Sequence, residues 1–384
     1  MCSYLTFLLS FFYIIVGYSQ NYHSPVKGNY PIVAWYSLDD NHGTEDNYKM
    51  LADAGFNVSL AFFSWPDKMK EGLAIAKSYG IKVIVSCQNI KSPLVLTDLL
   101  KKDNGFGLYY VSDEPSCKDF PIVSSDVDTK RMYDDKHMSY INLLPNYASS
   151  ELMGCDSYDD YIEKFIIEVK PDFISYDNYP FVDNVFRKGY YENLELISNK
   201  CKKNKLSFWG FVRTGVNKHY SEASIGQLSF QVNCNLAYGA KGIQYFTYAT
   251  PDGMDSAILD ADYKPTSIYY SIKEVNKKIK WLYKIIGNAE VIDVWNSEKK
   301  SNDIVCDSYK INASTLSESG FLFSIFAYKK NKYLFVVNKD YDKEQSISFR
   351  FNCKAKQLTP QKRKQKGVFF SSNVPPGDCL IFKL

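Results

Sequence analysis

Two neighbouring carboxylates, Asp113 and Glu114, stand just before Pro115 at the end of the apolar run 107–112 (GLYYVS). A third acid, Asp177, closes a second such run, 172–176 (DFISY), ahead of Asn178, Tyr179 and Pro180. Carboxyl groups at the tips of buried strands can do acid–base work: one protonates a leaving oxygen while another attacks or activates water. Neighbouring apolar runs end in aromatic, amide or basic side chains. These are Trp35 and Tyr36, Trp65, Gln88 and Asn89, Asn142 and Asn146, Tyr176 and Tyr179, Arg213, and Gln244 and Tyr248. Polar groups gathered at one end of apolar strands cost free energy in a core unless they face a solvated pocket.

Eight strand-like runs must position these groups, starting at Pro31, Phe56, Ile81, Gly107, Met138, Asp172, Ser207 and Gly242. Successive starts lie roughly 25–35 residues apart, the length of one strand-plus-helix unit in an eightfold barrel. The runs are continuously apolar rather than alternating, as suits parallel strands buried on both faces. Helix-like stretches fall between them at 46–54, 68–79, 158–169 and 225–238. Gly55, Gly80 and Gly239 follow three of these as helix stops. The alternation predicts an α/β fold, a (β/α)8 TIM barrel, over an open doubly wound sheet. No glycine-rich phosphate loop follows any strand. In such a barrel the functional site is built where strands end, and Asp113 and Glu114 leave the fourth strand.

After a helix-like stretch at 269–285, short runs follow without helices between them, at 291–295, 321–328, 332–337, 345–351, 367–371 and 379–384. They predict a small C-terminal antiparallel β-sandwich. The expected organisation is a signal peptide over 1–19, a barrel over 20–285 and a β domain over 286–384. Residues 5–16 are almost wholly apolar, and Gly17 and Ser19 suit cleavage before Gln20, so the protein is expected to be secreted. No later segment is long and apolar enough to span a bilayer.

A formal net charge of +3 over 384 residues, with both signs interspersed, offers no surface for nucleic acid. The basic run at 362–366 reads as a solvated hairpin tip. Nine cysteines, eight without Cys2 of the leader, show no CxxC or Cys/His ligand spacing, so no metal site is expected. Cys87 and Cys234 read as buried thiols, and one bridge is expected among Cys306, Cys353 and Cys379. Asn57 and Asn312 fit the glycan acceptor pattern, although Asn57 opens a predicted strand.

Each candidate has a plainer reading. Glu114 is a general acid or a loop carboxylate paired with a lysine, and Asp113 its support. Asp177 is the second carboxylate or the cap of its own turn. Tyr176 and Tyr179 hold a carboxylate, stack on a ligand or fill the core. Arg213 clamps an anion or hydroxyl, or pairs with a site acid. Trp35, Trp65 and Trp209 are flat platforms or core, and His137 and His219 are solvated. The aromatic fraction of 16% fits stacking on flat sugar faces and fits an ordinary core equally.

Four stretches carry a resemblance: strand-then-Asp-Glu-Pro115, Asn142-Leu-Leu-Pro-Asn-Tyr147, Ser175-Tyr-Asp-Asn-Tyr-Pro-Phe181 and Leu236-Ala-Tyr-Gly-Ala-Lys-Gly-Ile-Gln-Tyr245. Together they resemble secreted glycoside hydrolases of the clan A, β-galactosidase-like superfamily. The resemblance implies a barrel with an appended β domain, hydrolysis of glycosidic bonds in a carbohydrate substrate, and no metal or cofactor. It puts Glu114 in the place of the acid/base glutamate, with Asp113 where that clan has Asn. The clan's nucleophile is a glutamate ending the seventh strand, and Phe208-Trp-Gly-Phe-Val-Arg213 has none. Asp177 on the sixth strand, or Glu222 in the loop after the seventh, would have to replace it. A barrel that binds carbohydrate without cleaving it is the alternative.

Overall fold

The computed structural model describes residues 22–297, 304–306, 309, 311–317, 319–361 and 365–384. The expected leader and most of the basic run lie outside them. Among the described residues no helix is long and apolar enough to cross a membrane.

Each of the eight strand-like runs becomes a strand of a closed parallel barrel. The order is β1 (Ile32–Trp35), β2 (Val58–Phe63), β3 (Lys82–Cys87), β4 (Phe106–Asp113), β5 (Met138–Leu143) and β6 (Ile174–Tyr176). A small hairpin, β7 (Phe181–Val182) and β8 (Val185–Phe186), occupies the loop that follows. Then come β9 (Phe208–Arg213) and β10 (Gly242–Phe246), which pairs with β1 and closes the ring. Side chains alternate: Trp35, Leu60, Leu108, Tyr140, Trp209 and Phe211 fill the interior. Ala34, Phe63, Tyr109, Ile174, Tyr176 and Val212 pack outward into the main core.

The outer layer is α1 (Glu45–Asp53), α2 (Pro66–Ser78), α3 (Pro93–Leu100), α4 (Phe120–Tyr133), α5 (Ser150–Met153), α6 (Tyr158–Val169), α7 (Tyr190–Asn204), α8 (Ile225–Ala237) and α9 (Ser267–Ile286). Thr44, Ser92, Ser149, Ser157 and Ser224 cap five of them by accepting a backbone N–H of the first turn. Asn57 lies at the start of β2, where its side chain accepts from Ile32 N–H at 2.8 Å and donates to Tyr30 O at 2.8 Å. It fastens β2 to β1, and its amide nitrogen is committed to that bond rather than free for a glycan.

The C-terminal part comprises β11 (Glu290–Asn296), β12 (Ile304–Cys306), β13 (Ile311–Thr315), β14 (Phe321–Tyr328), β15 (Asn331–Asn338), β16 (Gln345–Leu358), β17 (Gln365–Val374) and β18 (Cys379–Lys383). All belong to one antiparallel sheet, ordered β11-β14-β15-β18-β16-β13-β12 with β17 beside β16. The early half of β16 pairs with β13 and its late half with β18. Phe321, Phe323, Phe349, Phe351, Phe370 and Phe382, from both halves of the sheet, meet in one apolar cluster. The other face joins the barrel's core through Leu322, Phe326, Phe335, Val337 and Ile381. At this junction the 375–378 turn runs against α8: Asn233 Nδ2 donates to Gly377 O at 2.9 Å. Gly377 has a φ of 62°, and a Cβ there would lie 2.1 Å from Gly226 O, so only glycine fits.

The cysteines depart from expectation. Cys353 is exposed and free, Cys379 is buried and free, and the side chain of Cys306 lies outside the described residues. The disulfide is Cys117–Cys155, 38 residues apart. Sequence spacing could not reveal it, because the partners meet only once the loop after β4 lies against the turn between α5 and α6. Closing a loop of that length stabilises the fold by about 3–4 kcal/mol in the chain-entropy picture. Reduction, or Cys117→Ser with Cys155→Ser, is therefore expected to lower the melting temperature by several degrees. An unchanged melt under reductant would show that the link contributes nothing.

Candidate active site

The site forms at the C-terminal ends of the barrel strands. A bulge in the β4–β5 pairing sets Asp113 opposite Asn142, whose Nδ2 donates to Asp113 Oδ1 at 3.1 Å. Glu114 follows with a φ of 50°, a left-handed conformation that a residue with a side chain keeps only when its surroundings enforce it. They do so here. Glu114 N–H donates to Asn142 O at 2.8 Å, and Tyr161 OH donates to Pro115 O at 2.7 Å. Cys117 is fixed both by its disulfide and by its N–H bond to Met153 O at 2.7 Å. The Glu114 side chain itself is exposed.

Asp177 lies two residues beyond Ser175, so strand alternation points both toward the barrel axis. It is 8% exposed, and its carboxyl lies within electrostatic reach of those of Glu114 and Asp113. Burial first, then Glu114, then the charge of Asp113, hold Asp177 well above the ordinary carboxylate range. Asp177 Oδ1 has no hydrogen-bond donor among the described residues. Asp113 is pushed up to about 6, mainly by burial and further by Glu114, against the opposing Asn142 bond. Water can touch Asp113, yet protein surrounds it on most sides, as in a concave mouth. Like charges gathered this closely disfavour ionisation, which adds to burial in raising Asp177.

A buried hydrogen-bond network forms the floor. Trp35 Nε1 donates to Tyr140 OH at 2.9 Å, and Tyr140 OH donates to Gln244 Oε1 at 2.6 Å. Gln244 Nε2 donates to Ser175 Oγ at 2.8 Å, which lies 3.0 Å from Asn142 Oδ1. Through Asn142 the network ends on Asp113. Satisfied buried networks of this kind fix side-chain geometry. Five strands thus meet beneath the acids.

One wall is aromatic and basic. The Arg213 guanidinium lies 4.1 Å from the Tyr220 ring centre, 5.0 Å from that of Phe246 and 5.4 Å from that of Tyr179. The Arg187 guanidinium sits 3.6 Å over the Tyr147 ring, and its Nε donates to Tyr179 O at 3.1 Å. Burial raises Tyr147, with Asp177 the next cause and Glu114 a smaller one, which puts that ring beside the acid pair.

The structure brings Asp113, Glu114, Asp177, Tyr179 and Arg213 together. Trp35 and Gln244 belong to the floor, and Gln244 is wholly buried. Tyr36 and Trp65, 40% and 60% exposed, stand on loops at the same face. Asn146 faces a neighbouring loop: its Nδ2 donates to Gly189 O at 3.0 Å and its N–H to Asn193 Oδ1 at 3.1 Å. Tyr176 and Tyr248 are not at the site. Tyr176 points outward from β6, next to Phe208, and Tyr248 packs edge-on against Phe56. Trp209 is buried deep in the barrel, its Nε1 donating to Tyr22 OH at 3.0 Å. Glu222 is turned toward Ser267, whose hydroxyl donates to it. His137 and His219 are bonded to Asp134 and Asp183 rather than simply solvated.

Sequence reasoning missed Tyr140, Tyr147, Arg187 and Tyr220. Tyr140 was findable, because it precedes Asn142 by two residues and so shares its face. Arg187 and Tyr220 come from loops with no periodic signal.

No family model matches the sequence, and comparison with curated proteins finds no relative. The structural neighbours are glycoside hydrolases. A β-galactosidase from the psychrophilic Marinomonas ef1 superposes with a TM-score of 0.51 at 11% identity, over 67% of this chain and 60% of that one. The chain thus spans less than two thirds of that enzyme's length. An α-L-arabinofuranosidase from Thermotoga maritima gives 0.47 at 10% identity, over 88% and 89%. An endoglucanase from Pseudomonas stutzeri gives 0.41 at 14% identity, over 62% and 88%. At these identities the likeness is one of architecture: this chain has the TIM-barrel fold found in glycoside hydrolases.

Proposed function

We propose that the protein is a glycoside hydrolase in which Glu114 and Asp177 work as one acid–base pair on a carbohydrate. The observation that carries this is the meeting of three carboxyl groups at the C-terminal mouth of the barrel, where burial first and Glu114 next raise Asp177 well above the ordinary carboxylate range. Hydrolysis of an acetal needs one proton for the leaving oxygen and one carboxylate for the anomeric carbon. A pair that shares a single proton supplies both. Glu114, the exposed member, gives the proton to the leaving oxygen on the solvent side. The shared proton reaches the leaving oxygen through Glu114 as the glycosidic C–O bond breaks, leaving Asp177, at the floor, as the carboxylate facing the anomeric carbon. A water oxygen then bonds to that carbon and returns one proton to the pair. Asp113 tunes the pair by its charge. Tyr36 and Trp65 offer flat faces for sugar rings, and Tyr179 and Arg213 complete the wall. Residues 20–285 form the catalytic unit and 286–384 the accessory β domain. Residues 1–19 direct secretion, which fits the Cys117–Cys155 bridge, since disulfides persist in oxidising compartments.

The absence of a carboxylate at the end of β9 favours a second reading, a barrel that binds carbohydrate without cleaving it. The pH profile separates the two. Hydrolysis requires the shared proton, so activity is expected to fall as pH rises through the elevated pKa of Asp177, above the ordinary carboxylate range. Asp113→Asn removes one of the charges that raise Asp177 and is expected to move this alkaline limb to lower pH. A limb that stays put, or moves up, contradicts the pairing. Absence of hydrolysis across aryl glycosides and polysaccharides would leave the binding role.

A further inference from the structure

We propose that the sugar bound beside Glu114 and Asp177 carries an anionic substituent, a carboxylate or a sulfate, which Arg213 holds; this rests on the glycosidase reading above.

Arg213 is 8% exposed, so its charge is largely removed from water. Buried charges are ordinarily paired, because an unpaired one loses its hydration with nothing to replace it. Yet among the described residues the arginine that forms ion pairs is Arg131, far from the site. The Nε of Arg213 donates to Gly215 O at 2.8 Å, and its NH2 reaches only Met254 Sδ at 3.9 Å. Its NH1 has no partner among the described residues. Asp177 is the nearby acid and its charge is felt at Arg213, but no ion pair or hydrogen bond joins the two among the described residues. Tyr179, Tyr220 and Phe246 surround the group and hold it in place.

Arg187 repeats the pattern on the Tyr147 side. It spends its Nε on a backbone oxygen and has no acid partner among the described residues. A cavity of ≈ 160 Å³ opens beside Arg213, lined also by Asn184, His219, Tyr220 and Ser221. Glu222, the carboxylate on its wall, is exposed and accepts from Ser267 instead of meeting Arg213. A neutral sugar hydroxyl would leave the guanidinium without a hydrogen-bonded counter-ion. A carboxylate or sulfate supplies one and matches the planar fork of N–H donors.

The test is equilibrium binding to the full chain, by calorimetry, of oligosaccharides matched except for charge. Galacturonate and glucuronate oligomers are compared with their neutral parents, and 6-sulfated oligomers form a separate arm. The acidic member of at least one pair is expected to bind about tenfold tighter or more, as a charge-assisted bidentate contact allows. The arm that shows the preference identifies the anion as carboxylate or sulfate. Arg213→Gln is expected to erase the preference, and Arg213→Lys to keep part of it. The wild-type comparison stands by itself if the glutamine variant fails to fold. Equal binding within every pair overturns the proposal, as does a preference that survives in folded Arg213→Gln. Binding separates this proposal from the one it rests on. A charge preference without cleavage refutes hydrolysis alone, and cleavage of neutral glycans without a preference refutes the anion site alone.

Discussion

Asp177→Asn is expected to abolish turnover and, near neutral pH, to make the protein melt at a higher temperature. The two effects have one cause. Asp177 is buried against another carboxyl, and its folded-state pKa stands above that of the unfolded chain. A carboxyl raised in this way contributes its full stability below the unfolded value, about 3.9, and loses it as pH rises through the folded value. Asp113, pushed up to about 6, acts with the same sign, its contribution fading between its ordinary value and that pH. Wild-type stability should therefore decline from mildly acidic toward neutral pH. Asparagine does not titrate, and its amide can donate to Glu114. The variant should gain on the wild type as pH rises from about 4 to 8, by about 1–2 °C for each kcal/mol recovered. Activity should fall toward the far end of the usual acid–base range, about 10⁴-fold. Melting curves and rates across pH would check both halves. A variant that melts lower at every pH would make Asp177 a structural cap.

Glu114→Gln keeps the shape of the side chain and the left-handed backbone but leaves no proton to give. Turnover on natural glycosides is expected to fall by about 10²–10⁴, the usual worth of general acid catalysis. Substrates with acidic leaving groups, such as nitrophenyl glycosides, need little protonation and should lose much less. The difference between the two substrate classes is the informative readout, because misfolding would depress both alike. Equal losses on both would argue that Glu114 positions the substrate and does not protonate it.

The barrel was legible because its determinants are local and repeated. Eight apolar runs at regular spacing, with glycine stops behind several helices, leave few arrangements that bury them all. The acids were legible for the same reason, since the ends of such runs can only lie at the mouth. What failed was parity. Tyr176 and Asp177 are adjacent on one strand and cannot both face the axis, and Ser175, Asp177, Phe211 and Arg213 share a phase that excludes Tyr176. Period-two alternation is masked in a parallel barrel because both faces are apolar. Tyr248 follows β10 and packs into the main core by the path of its loop, which no run in the sequence encodes. Arg187 and Tyr220 reach the wall from loops set by long-range contacts. The Cys117–Cys155 bridge is of the same kind.

The carboxylate pair is tested most directly by glycan hydrolysis, followed as new reducing-end anomeric signals by proton NMR. The wild-type chain, Glu114→Gln and Asp177→Asn would be compared on one panel of neutral, uronate and sulfated polysaccharides. The wild type is expected to release new reducing ends from at least one member, with neither variant above background on that substrate. Hydrolysis that continues undiminished in both variants, or is absent from the wild type on every glycan, would contradict a glycosidase built on Glu114 and Asp177.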